Sequence, residues 1–115
     1  MSDNLISFLE SGIRAESLRQ RAISSNMANL NTAGYRRHEV KFEEELAKAM
    51  QAGKDPKNVE AEVFQPKTAP LNKMGNDVNL ASEVGDMVKN SLRHKAFIRL
   101  LKGRYNRYEQ AIKTP

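Results

Sequence analysis

Residues 22–35 read Ala22-Ile23-Ser24-Ser25-Asn26-Met27-Ala28-Asn29-Leu30-Asn31-Thr32-Ala33-Gly34-Tyr35, and this stretch sets how the chain is organised. It closes an amphipathic helix with asparagines at positions 26, 29 and 31, then meets a glycine. Asparagine is a mediocre helix former because its amide competes for backbone hydrogen bonds. Gly34 offers the left-handed conformation at which helices end at little cost. A helix that only filled a core would have no use for these amides, so Asn26 and Asn29 are expected to bond something beyond it.

The helix that ends here reads over residues 3–31, with Asp3 as N-cap. Heptad spacing selects Ile6, Leu9, Ile13, Glu16, Gln20, Ile23, Met27 and Leu30, a coiled-coil-like seam with a polar interruption in its middle. A longer helical pattern covers residues 79–113, with Asn79 as N-cap. Its seam is Leu80, Val84, Met87, Ser91, His94, Ile98, Leu101, Tyr105, Tyr108 and Ile112. Glu83 and Asp86 lie early and the lysines and arginines late, as the helix dipole prefers. Such a helix is about 50 Å long at about 1.5 Å per residue.

Each helix carries a second stripe of smaller residues. On the first it is Ser11, Ala15, Leu18, Ala22, Asn26 and Asn29; on the second, Leu92, Ala96, Leu100 and Gly103. One stripe suffices for a two-helix hairpin, so the second is expected to receive helices of other molecules.

Between the helices, residues 32–78 form a turn, a short helix within 39–50 with Phe42, Leu46 and Ala49 on one face, and an arm containing Gly53, Pro56, Pro66, Pro70 and Gly75. Within the arm, residues 59–63 alternate like a short strand. The expected architecture is one all-α domain over residues 1–115, an antiparallel coiled-coil-like pair of long terminal helices joined by a partly disordered or extended middle segment.

At 115 residues, 39% hydrophobic and without tryptophan, the chain has room for one domain and a thin core, so partners are expected to supply part of the burial. The absence of cysteine excludes a disulfide framework and a thiolate metal site. Residues 1–6 lack the basic and long apolar regions of a cleaved secretory signal, and no run approaches transmembrane length. Only His38 and His94 could supply imidazole, and Glu43-Glu44-Glu45 point in different directions on a helix. No phosphate loop, nucleophile elbow or metalloprotease motif occurs. No enzyme activity, cofactor, metal or small-molecule substrate is expected.

The net charge of +5 is concentrated late: Lys89, Arg93, Lys95, Arg99, Lys102, Arg104, Arg107 and Lys113 face a single acid, Glu109. A leucine-zipper protein segregates its basic region from its heptads, whereas here the charges accompany the seam. They suit solvated flanks of a coiled coil or salt bridges to an acidic neighbour; nucleic-acid binding is the alternative.

Ser25-Asn26-Met27-Ala28-Asn29-Leu30-Asn31-Thr32-Ala33-Gly34-Tyr35 resembles the S-N-x-A-N-x-x-T-x-G-Y signature of the bacterial flagellar axial proteins. Gly75-Asn76-Asp77-Val78-Asn79-Leu80, with Glu83 and Asn90-Ser91-Leu92-Arg93, is similar to the small proximal-rod branch of that family. Two departures stand out: Ala33 replaces the usual proline, and the middle segment is shorter. The resemblance implies a structural subunit of the basal-body rod that transmits torque for motility and assembles with itself, other rod subunits and the basal-body ring and adaptor proteins. It also implies passage through the flagellar type III export apparatus without a cleaved signal. Asn26, Ala28, Asn29, Thr32, Gly34 and Tyr35 would form the assembly signature. Phe42 and Leu46 would form an export-gate motif of the type F-x-x-x-Φ. With polar residues interrupting both seams, the termini are expected to stay loosely folded until neighbouring subunits order them.

Overall fold

The computed structural model describes residues 4–113. In chain order it contains helix α1 (Asn4–Ala28), strand β1 (Glu39–Lys41), helix α2 (Glu43–Gln51), one 3-10 turn (Pro56–Asn58), strand β2 (Glu62–Phe64) and helix α3 (Leu80–Lys113). The molecule is elongated, 68 × 29 × 15 Å. Asp3, the expected N-cap of α1, lies outside the described residues.

The middle segment is not a bare arm. Glu39, Val40 and Lys41 pair antiparallel with Phe64, Val63 and Glu62, so the expectation of an all-α fold is corrected by a two-stranded sheet. Three residues are too few for strand periodicity to show, and the pairing is decided by Val40, which turns inward and is buried. The second strand also begins later than the alternation at 59–63 suggests, because Val59 leaves the 3-10 turn to enter the core. That turn is set locally: Asp55 accepts a hydrogen bond from the Lys57 N–H at 3.0 Å, and Pro56 starts it.

Phe42, Leu46 and Val59 pack on Ala15 of α1, with Phe8, Ala49 and Ala61 around them. The small side chain of Ala15 lets the phenylalanine approach the helix backbone. The second stripe of α1, expected to await another molecule, is therefore largely covered from within the chain: Ser11, Ala15, Ala22 and Asn26 are all buried.

On α1 the expected seam is recognisable, with Leu9 and Ile23 buried and Ile6, Ile13 and Met27 half-buried. On α3 it is displaced. Leu80, Val84, Met87 and Tyr105 are exposed, and Ile98 and Leu101 only half-buried. The helix turns Glu83, Asn90 and Phe97 toward α1 instead, a heptad row one residue away from the apolar one. Along the two helices, position 26 meets 83, 16 meets 90 and 93, and 8 meets 97.

Two features of α1 impose this rotation. Gly12 leaves a hollow that the Phe97 ring fills: a Cβ there would lie 3.0 Å from the ring. Phe8 then meets the same ring edge-on, with centroids 6.0 Å apart. Glu16, buried in the helix, needs donors that Ser91 and His94 do not supply and Asn90 and Arg93 do.

Candidate functional site

The asparagine-rich end of α1 is the centre of a buried polar knot. Asn26 is 0% exposed. Its amide donates to the His38 carbonyl at 2.9 Å and to Glu83 Oε1 at 2.8 Å, and its Oδ1 accepts from the Tyr35 hydroxyl at 3.0 Å and the His38 N–H at 2.9 Å. That is every bond a primary amide can make. The partners expected in a neighbouring subunit are supplied by this chain.

The rest of the signature builds the turn around that side chain. Asn29 donates to the Ser25 carbonyl at 2.8 Å and accepts from the Thr32 hydroxyl at 3.0 Å, drawing the chain out of the helix. Gly34 sits at φ +76° and donates its N–H to the Met74 carbonyl at 2.8 Å. Ala28 is exposed and takes no part in the knot. Gly34 needs no proline before it to hold this conformation, so Ala33 is tolerated.

The distant block at 75–83 closes the same knot. Gly75, at φ +74°, lies against Gly34, so that a Cβ built on it would contact Gly34 Cα at 3.8 Å. The Asn76 amide donates to the carbonyls of Asn29, Leu30 and Thr32 at 2.9, 3.2 and 2.9 Å, capping the orphan acceptors at the end of α1. Asp77 accepts from the Arg37 N–H at 2.6 Å and from Arg36 Nε at 3.2 Å. Glu83, 0% exposed, accepts from Arg37 Nε at 2.9 Å besides Asn26. Arg37 also pairs with Glu39.

A second knot ties the middle of the helices. Glu16 Oε1 accepts from Asn90 Nδ2 and Arg93 Nε, both at 3.1 Å, and its Oε2 from Arg19 at 2.6 Å. Asn90 also donates to the Glu16 carbonyl at 2.7 Å, and Arg19 reaches on to Glu43 at 2.5 Å. Among the described residues, no buried side-chain polar atom lacks a partner. Arg36, Arg37, Asn76, Asp77, Asn90 and Arg93 were not legible as members of either knot. The available signal was a buried-seam acid, Glu16, with amide and guanidinium groups at matching heptad positions.

Burial disfavours the Asp77 carboxylate, but the Arg37 N–H and the Arg36 guanidinium outweigh it and hold its pKa below the usual value. Burial likewise opposes the Arg37 cation, and Glu39 and Glu83 overcome it, raising its pKa. A depressed carboxylate pKa stabilises the fold above the unfolded pKa of about 3.9 and loses that contribution as pH falls through the folded value. Urea midpoints of the wild type are therefore expected to drop steeply below about pH 4. Asp77→Asn should lower the midpoint at pH 7 and narrow its gap to the wild type at pH 3; an undiminished gap would refute this role for Asp77.

Of the remaining sequence candidates, Phe42, Leu46 and His94 lie apart from both knots, while His38 belongs to the first. Phe42 and Leu46 are buried in the core against Ala15, so the F-x-x-x-Φ segment faces inward in the folded chain. His38 meets the Tyr35 hydroxyl through Nδ1 at 3.1 Å, while His94 is half-buried on α3. Among the described residues, no three side chains of metal-ligating type converge, and no helix is long and apolar enough to cross a membrane.

Residues 6–36, which run from α1 through the turn to Arg36, match the family model described as flagella basal body rod protein. With this match over 31 of its 115 residues, the chain is similar to the flagella basal body rod proteins. Its curated relatives include the flagellar basal body rod protein FlgB of Escherichia coli (strain K12) and that of Shigella flexneri. The chain is 27% identical to each over 120 residues, covering 88% of this chain and 87% of the relative. The knot around Asn26 is thus where the family-matched segment and the 75–83 block meet.

Proposed function

We propose that this chain is a structural subunit of the flagellar basal-body rod, occupies the proximal rod, assembles with itself and other rod subunits through its terminal helices, and passes motor torque along them. The observation that carries this is the uncovered apolar surface of α3, which takes in its seam and part of its second stripe. Leu80, Val84, Met87, Val88, Leu92, Leu100, Tyr105 and Ile112 are exposed along one 34-residue helix. Monomeric proteins rarely leave so long an apolar surface open. The reversed order of contacts along α1 and α3 supports an antiparallel hairpin, and the two polar knots fix its register, as a torque-bearing element requires. The proximal position rests on the resemblance of the 75–93 block to that branch.

Export precedes assembly in this reading. With Phe42 and Leu46 packed on Ala15, the gate would meet this motif only in a chain whose small core has opened. Contacts to basal-body ring or adaptor proteins belong to the same proposal. Deleting the gene and imaging purified basal bodies should show intact rings without a rod, restored by the wild-type gene. Normal rods in the deletion strain would overturn the reading.

A further inference from the structure

Near the end of the hairpin, Leu5, Leu9, Leu100 and Gly103 floor an open groove of about 190 Å³, rimmed by Arg99, Arg104 and Arg107. Leu9 is fully buried beneath it, while Leu100 is 59% exposed. Gly103 stands in a helix interior, where glycine costs about 1 kcal/mol relative to alanine, and a Cβ there would meet nothing within 4 Å. Nothing within the described residues therefore requires a glycine at this position.

The charge around the groove is one-sided. Among the described residues no acid lines it, and neither Arg99 nor Arg107 has a carboxylate partner. Between Lys89 and Lys113 the only acid is Glu109, which is engaged by Lys113 at 2.7 Å. A second copy of α3 laid here would set arginines against arginines and lysines. Like charges brought together at a partly desolvated interface cost several kcal/mol. An anionic bilayer fits less well, because such helices segregate their basic and apolar faces, whereas here Lys89, Arg93 and Arg107 fall among Leu92, Ala96 and Leu100 on one face of the helix.

We propose that this groove receives an acidic amphipathic helix of a different rod chain, its small apolar face on Leu100 and Gly103 and its carboxylates on Arg99 and Arg107. The proposal rests on the rod reading and names the chemistry of one neighbour. Arginine forks pair carboxylates bidentately, which fixes the neighbour's register as well as its sign.

The test replaces the chromosomal gene with Arg99→Glu/Arg107→Glu and counts the protein in purified basal bodies. Circular dichroism checks that the variant folds; if it does not, Arg99→Ser/Arg107→Ser takes its place. We expect about a tenfold or greater loss of incorporation. Motile suppressors of the variant should then carry an Asp or Glu changed to Lys or Arg in another rod gene. Suppressors confined to this gene would instead identify a second copy and overturn the proposal. Undiminished incorporation would overturn it too, as would normal incorporation with loss only of flotation on phosphatidylglycerol vesicles. Absence of the wild-type protein from basal bodies would refute the rod reading itself, a distinguishable result.

Discussion

Asn26→Ala is expected to destabilise the isolated protein by about 3 kcal/mol, a fall of roughly 12 °C in Tm, before any question of assembly arises. The substitution removes four hydrogen bonds from a fully buried site. It also leaves the His38 N–H and carbonyl, the Tyr35 hydroxyl and one oxygen of Glu83 short of a partner. Unmet buried groups cost about 1–3 kcal/mol each, though relaxation and water entry recover part of that. Asn26→Asp sharpens the test. It keeps the acceptor for Tyr35 and His38 but places a second carboxylate beside Glu83, and two like charges about 4 Å apart repel by about 4 kcal/mol at an effective dielectric constant of 20. Thermal unfolding of the two variants should therefore rank wild type above alanine and alanine at or above aspartate. Both variants within 0.5 kcal/mol of wild type would show that the knot contributes no net stability.

Val88→Glu/Leu92→Glu should do the reverse: leave the monomer intact and abolish its incorporation into the rod. Val88 and Leu92 are 53% and 64% exposed on α3, one helical turn apart. Exchanging exposed valine and leucine for glutamate changes helix propensity by tenths of a kcal/mol, so Tm should hold within a few degrees. At a packed interface the same change buries two unpaired charges, which costs several kcal/mol and prevents association at any realistic concentration. Circular dichroism of the purified variant and its absence from basal bodies together check this. Normal rods containing a folded double variant would mean that this part of the stripe is not a contact.

The two long helices, and the start of α3, were legible from residue spacing, because a periodicity near 3.6 and a cap such as Asn79 are local properties. The Ser82 N–H donates to the Asn79 side chain at 3.0 Å, as an N-cap should receive it. Gly34 was equally legible, since the left-handed conformation that it adopts is one that other residues avoid. The first strand was not, because a single buried valine carries no pattern.

The site divides along the same line. Asn26 and Asn29 drew attention through their poor helix propensity, yet nothing local could tell whether their partners lay within the chain or outside it. His38, Glu83 and Tyr35 converge on Asn26 only after the turn at Gly34 and the docking of α3. Asn76 caps the end of α1 from more than forty positions away, and the sequence marks it only as part of a resemblance.

By itself, then, the sequence determined that two long helices would form and that both would carry an apolar stripe, although α1 stops at Ala28, short of the expected residue 31. Periodicity identifies a face but does not say what covers it. Only the tertiary structure decided that the apolar stripe of α3 looks outward and its polar row inward. The physical reason lies on the opposing helix: Glu16 and Asn26 are buried there and must be matched hydrogen bond for hydrogen bond, and Gly12 leaves a hollow that Phe97 fills.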